Sequence, residues 1–214
     1  MPTAARRNAV PVKRLGRPKD VASAETRERL LGVACASFAR HGYDATTNRM
    51  IAEGAGITTG AIYHYYPSKA DLYVAVYERV QQGVYHEFER AIAPHVGLVD
   101  RVRAVLDASV ELNRHDPAAA GFVVGVAAEV QRHPELLQPL RDANATSANF
   151  LRRLAADAAA NGELRPDVSV RGLEDLLTAV LAGLARFSTH ASDSHRHAEA
   201  VAVLQRCLAG TLLA

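Results

Sequence analysis

Residues 46–72 read TTNRMIAEGAGITTGAIYHYYPSKADL, and the punctuation in this stretch decides the fold. A threonine at 46 or 47 caps a helix whose inward residues are Ile51, Ala52 and Ala55, and Gly56 can take the positive φ that stops a helix in a tight turn. Two residues later Thr58 caps a second helix. Ile57 before that cap and Ile62 after it hold the two positions of a hydrophobic staple, which fixes the angle between the helices. The second helix is short and ends near Tyr65. Pro67 breaks the chain again, and Ser68 with Asp71 has capping-box spacing, so a longer helix starts at once. Two helices joined by a turn of about four residues form a helix-turn-helix.

In such a unit the second helix enters the DNA major groove. Thr58, Thr59, Gly60, Tyr63 and His64 fall on its outward and N-terminal side. Threonine bonds phosphate or sets its methyl on thymine, glycine lets the backbone come close, and a tyrosine hydroxyl reaches phosphate oxygens. Thr58 can cap its helix and still do this, whereas Tyr63 has packing as its rival role. Lys69 is the first residue of the next helix, where a positive side chain opposes the macrodipole. A phosphate bound there by free N–H groups and the ammonium together would account for it.

Upstream, Ser23 reads as an N-cap, with Leu31, Ala34 and Phe38 at helical spacing and His41-Gly42 as a stop. Residues 1–22 show no hydrophobic period and carry several basic residues, the pattern of a flexible arm, in which Arg14, Arg17 and Lys19 are candidate DNA contacts. Downstream, Leu72, Val76, Val80, Val84, Phe88 and Ile92 stripe one face of a long fourth helix that Pro94 ends. Further helices are expected at 99–114, 117–133, 135–161, 169–189 and 194–212, bounded by breakers such as Asp116-Pro117, His133-Pro134 and Asn161-Gly162. The whole is all-α, with about nine helices and no segment that alternates like a strand.

Composition narrows the function classes. With 49% hydrophobic residues in 214, the chain can bury a real core, yet no stretch free of charge reaches the roughly 18 residues needed to cross a bilayer. The N-terminal basic residues have no apolar segment behind them, so the expected location is the cytoplasm. The net charge of +2 conceals +5 in residues 1–79 and −3 in the rest, which places the polyanion-binding half in front. Cys35 and Cys207 sit in apolar helical patterns and read as packing residues. His190, His195 and His197 flank a Ser/Asp loop and read as solvated, so no metal is assigned. No nucleophile beside a base, carboxylate pair or Gly-rich phosphate loop nominates catalysis or a cofactor.

Thr46-Thr47-x-x-x-Ile51-Ala52-Glu53-x-Ala55-Gly56-Ile57-Thr58-x-Gly60-x-Ile62-Tyr63-x-Tyr65-Tyr66-x-Ser68-Lys69-x-x-Leu72 resembles the signature of the TetR family of bacterial transcriptional regulators. The resemblance runs without a gap from Gly42 to Tyr73. It implies an N-terminal three-helix DNA-binding domain, a connecting fourth helix, a helical ligand-binding domain, and a homodimer through the last two helices. In residue terms this gives a basic arm at 1–22, the helix-turn-helix domain at 23–67, the connecting helix at 68–93 and an effector and dimerisation domain at 94–214. Carried over by position, it implies DNA contacts from Thr47, Asn48, Thr58, Thr59, Gly60, Tyr63, His64, Tyr65 and Lys69. Thr59 stands where many members have Lys or Arg, and Tyr66 where Phe is common.

Polar residues on an inward stripe mark the expected effector site. Leu136, Leu140, Asn144, Ser147, Phe150, Leu151 and Leu154 follow one face of the helix expected at 135–161, so Asn144 and Ser147 interrupt it. A ligand would account for them, as would hydrogen bonds from a neighbouring helix. Phe122 and Glu129, seven residues apart, are expected to face the same space. The reading is a DNA-binding regulator, a repressor released by a small apolar or amphipathic effector. The alternative is a helical small-molecule carrier or enzyme whose N-terminal helices are only structure.

Overall fold

The computed structural model describes residues 19–190 and 194–212, in which ten α-helices and one 3₁₀ turn follow one another without a strand. The first, α1 (Lys19–Ala45), buries Leu30, Leu31, Ala34, Cys35 and Phe38. It begins four residues before the expected cap, because nothing between Lys19 and Ser23 stops a helix. Lys19 therefore belongs to α1 rather than to the arm, while Arg14 and Arg17 lie outside the described residues. Ser23, freed from capping, lies 3.0 Å from the Tyr65 hydroxyl in a hydrogen bond. The chain breaks at Gly42 as expected, with φ 76° and ψ 177°, a conformation that an L side chain resists.

The two helices that follow obey their caps. Thr47 accepts a hydrogen bond from Met50 N–H to open α2 (Asn48–Ala55), and Thr58 accepts one from Ala61 N–H to open α3 (Thr59–Tyr65). Between them Gly56 adopts φ 64°, and Ile57 N–H returns to Ala52 O at 3.0 Å, the closing bond of a Schellman motif. Ser68 opens α4 (Lys69–Ile92) by accepting from Asp71 N–H at 3.1 Å. At 24 residues this helix is about 36 Å long.

Beyond it come α5 (Leu98–His115) and α6 (Pro117–Arg132), then a 3₁₀ turn (Pro134–Leu136), α7 (Leu137–Ala143) and α8 (Ala145–Ala160). The single helix expected at 135–161 is thus divided. Pro139 has no N–H to give the Glu135 carbonyl, which favours a tighter first turn, and Asn144 (φ −79°, ψ 0°) leaves helical geometry between α7 and α8. The last two helices are α9 (Val170–His190) and α10 (Ser194–Leu208). The expected extension of α10 to Leu212 is cut short, with Thr211 N–H bonded to Arg206 O at 2.9 Å.

Two hydrophobic cores result. The first joins α1, α2, α3 and the front half of α4 to Phe122 of α6, Leu136 and Leu140. The second joins the far end of α4, at Phe88, to α5, α8, α9 and Val201 of α10. Val84 packs against both. Outside them, Leu176 of α9 is 58% exposed and Val203 of α10 48%. Cys35 is buried as expected, but Cys207 is exposed, because α10 turns Val201 rather than Cys207 inward. No helix among the described residues is long and apolar enough to cross a membrane.

Candidate functional site

The N-terminal side of α3 carries the first candidate site. Thr47, Thr58, Gly60, Tyr63 and His64 are exposed, Tyr63 at 53%, while Ile62 of the same helix is fully buried against α2. The staple therefore fixes α3 from below and leaves its outer face open. Thr59 is half-buried, as is Asn48, whose Oδ1 has no hydrogen-bond partner among the described residues. The caps at Thr47 and Thr58 use hydroxyl oxygens as acceptors, so each hydroxyl proton can still be given to a phosphate.

Two expected contacts are engaged within the chain. Tyr65 is half-buried and bonded to Ser23, which ties α3 to α1. The Lys69 ammonium donates to Tyr43 O at 2.8 Å and to Thr46 O at 3.3 Å, and lies 4.2 Å from the centroid of the Tyr43 ring. Its position at the start of α4 thus has a structural cause: it satisfies carbonyls in the joint between α1 and α2, and a cation over the ring adds to that. Thr46, fully buried, completes the joint by donating to Gly42 O at 2.7 Å.

The second candidate site is a cavity of about 770 Å³ where the two cores meet, walled by α4, α5, α6, α8 and α9 together with Glu28 of α1 and His197 of α10. Asn144 and Ser147 both line it, as does Gln81 of α4. Asn144 Oδ1 accepts from Tyr77 Oη at 2.8 Å and from Gln81 Nε2 at 3.2 Å; Ser147 Oγ shares its proton between Asn144 O at 2.9 Å and Asn144 Oδ1 at 2.5 Å. Gln81 Nε2 also donates to Tyr77 Oη at 2.6 Å. The break between α7 and α8 is what lets Asn144 reach α4. Burial pushes the Tyr85 phenol on the same wall up to about 12 and raises that of Tyr77, so both stay neutral hydroxyls.

Phe122 and Glu129 do not join this space. Phe122 packs with tilted rings against Tyr73 and Phe38 in the first core, with ring centroids 4.9 and 6.2 Å away. Glu129, also buried, turns toward α1: its Oε1 accepts from Tyr43 N–H at 3.2 Å and meets Arg132 at 2.7 Å. The inward face of α6 serves two interiors, and these residues lie on the α1 side, whereas Ala119, Ala120 and Val123 reach the cavity. His197 corrects another expectation. It is 2% exposed, on α10 rather than in a loop, and lines the cavity, with Nδ1 lacking a partner among the described residues. Its spacing of four from the buried Val201 carried that signal, and the spacing of Gln81 and Tyr77 on α4 carried the same one.

Comparison with known proteins agrees with this arrangement. Residues 30–76 match the model for bacterial regulatory proteins of the tetR family, and residues 98–213 match the model for the C-terminal part of BetI-type transcriptional repressors. The HTH-type transcriptional regulator UidR of Escherichia coli K12 is 27% identical over 196 residues, covering 88% of this chain and 94% of that protein. The HTH-type transcriptional repressor KstR2 of Mycolicibacterium smegmatis is 29% identical over 151 residues, 69% of this chain and 71% of its own length. Among solved structures, GusR of Salmonella enterica superposes with a TM-score of 0.71 at 29% identity, covering 94% of this chain and 99% of that one. With the second model spanning more than half of the sequence, the chain belongs to the TetR family of bacterial transcriptional regulators, and it is a helix-turn-helix protein of the DNA-binding kind.

Proposed function

We propose that the protein is a cytoplasmic homodimeric repressor, not an enzyme, which holds an operator through α3 and releases it when a small amphipathic effector fills the cavity. The observation that carries the reading is the pairing of an open α3 face with a large cavity set between the two cores. In this reading Thr47, Asn48, Thr58, Thr59, Gly60, Tyr63 and His64 meet the DNA, and Tyr65 and Lys69 hold α3 and the joint in place, with the third Lys69 proton left for phosphate. Arg14 and Arg17 from the N-terminal segment, and Lys19 from the start of α1, add affinity. Residues 68–93 connect a DNA-reading part to an effector and dimerisation part, and α9 and α10 form the dimer.

Two copies of α3 then lie in successive major grooves, with half-sites about 34–36 Å apart. Release requires the effector to prefer the spacing that does not fit DNA, since equal affinity for both states shifts nothing. Selection from a random DNA library tests the reading. The expected product is a site of approximate two-fold symmetry, bound with an affinity that falls steeply with salt, about 0.9 log units per phosphate contact per decade. Binding indifferent to salt overturns it in favour of a carrier, and salt-dependent binding with no preferred sequence in favour of a non-specific nucleoid protein.

A further inference from the structure

The charge and hydrogen-bond inventory of the cavity wall narrows the chemistry of what it holds. Among the described residues its carboxylates are Glu28, Glu87, Asp116 and Glu174, and its one Lys or Arg is Arg79. The Arg79 charge is already balanced, its Nε donating to Glu28 Oε2 at 2.8 Å. Arg90 chelates Glu87 and Arg152 faces Glu174 from outside the wall, so neither carboxylate is free to bind a cation unopposed. Asp116 accepts from Ala119 N–H as the cap of α6. His197 supplies no positive charge either, because burial holds its imidazole below the ordinary value and thus neutral at pH 7. An anion entering here would lose its hydration and meet no unpaired cation.

The polar corner is built for an uncharged group. Asn144 Oδ1 is occupied by donors from Tyr77, Gln81 and Ser147, which turns the other side of that amide, its NH₂, away from the cluster. Gln81 gives its NH₂ to Tyr77 and Asn144, and its carbonyl is the remaining acceptor. Among the described residues no side chain takes the Asn144 N–H groups or the Gln81 carbonyl. One donor and one acceptor, both neutral, match a hydroxyl, ketone or amide. Val84, Phe88, Leu151 and Leu181 supply apolar wall for the rest of the molecule.

We propose that the effector is an uncharged amphiphile whose polar head is read by the side-chain amides of Asn144 and Gln81. This rests on the effector cavity proposed above and adds the head-group class and the two residues that select it. A cavity of about 770 Å³ falls in the range of sites that enclose a drug-sized molecule.

The test uses the whole purified protein, Nile red as an uncharged reporter of the cavity, and three competitors that each carry an octyl tail: 1-octanol, nonanoate and octyltrimethylammonium. All three share the same tail, so their ranking reads the head alone. Octanol is expected to displace the dye at least about tenfold more effectively than either ion. Nonanoate or octyltrimethylammonium matching octanol overturns the proposal while leaving an effector cavity in place. Dye that does not bind, or is displaced by none of the three, overturns the cavity reading as well. Gln81→Leu, which keeps the bulk and removes the acceptor, is expected to weaken octanol about tenfold without weakening Nile red; unchanged octanol removes Gln81 from head recognition. The ranking in the parent protein decides the head-group class whether or not the variant folds.

Discussion

Glu129 Oε1 lies 3.2 Å from the backbone nitrogen of Tyr43 and accepts its hydrogen bond, which fastens the end of α6 to the joint that leads into α2. The same oxygen is 3.0 Å from where a Cβ on Gly42 would stand. The carboxylate and the glycine therefore fit together as a pair.

Glu129→Ala leaves the Tyr43 N–H and Arg132 without their partner and should cost about 1–3 kcal/mol in urea denaturation. Gly42→Ala meets both the positive φ and the carboxylate, and should cost a similar amount. Removing Glu129 relieves the clash, so the double variant should be less destabilised than the two single costs combined, by about 0.5 kcal/mol or more. Strict additivity would separate the two residues.

Tyr63→Ala and Lys69→Ala should part company. The half-exposed Tyr63 can be lost with an unchanged melting temperature and a roughly tenfold weaker operator complex. Loss of Lys69 strands two carbonyls, so it should lower stability by about 1–2 kcal/mol as well as DNA affinity. Equal melting temperatures for the two variants would contradict the structural role of Lys69.

Burial, the largest cause, with Asp116 adding to it, pushes the Cys35 thiol up to about 11 from 9.0. The folded state thus favours the protonated thiol. That contribution is whole below pH 9 and is lost as the pH rises through about 11, a fall of about 3 kcal/mol that Cys35→Ala should flatten. At pH 7.5 a maleimide should label the exposed Cys207 and spare Cys35 until the protein is denatured. Labelling of Cys35 in the native protein, read by mass spectrometry, would contradict its burial.

Leu176→Glu with Val203→Glu should yield a folded monomer in sedimentation at micromolar concentration, because both side chains face out of the protomer. Leu184→Glu should instead destabilise the protomer, since Leu184 packs on the second core and borders the cavity. A dimer that survives the double change would move the interface elsewhere.

Ser147→Trp should raise the effector concentration needed for operator release by about tenfold or more, with DNA affinity nearly unchanged in a variant of normal circular dichroism. Ser147 stands on the cavity wall and outside the core that holds α3, so an indole there occupies ligand space. A parental response would show that ligand space lies elsewhere.

Legibility in the sequence followed the range of the interaction concerned. The caps at Thr47, Thr58 and Ser68 and the stop at Gly56 act over two to five residues, so the helix-turn-helix could be read from spacing alone. Ser147, which is buried, announced itself as a polar interruption of an inward face, whereas Asn144 is exposed and lines the cavity beside it. Phe122 and Glu129 were also inward, but periodicity does not say into which of two interiors a helix faces. The bond from Lys69 to the Tyr43 carbonyl spans 26 residues, and the two elements it joins meet only in the folded chain. The break at Asn144 escaped notice because the apolar period continues across it.

The division of α4 between two cores determines where relatives of this protein could exchange parts. A recombination joint at 67/68 would cut Tyr73 and Val76 away from Phe38 and Ile62, their partners in the first core, and would also discard Phe122, Leu136 and Leu140. A graft that keeps DNA preference intact must therefore carry the front half of α4 together with α6 and α7. New effector preferences are more readily acquired by substitution around the cavity than by trading whole segments.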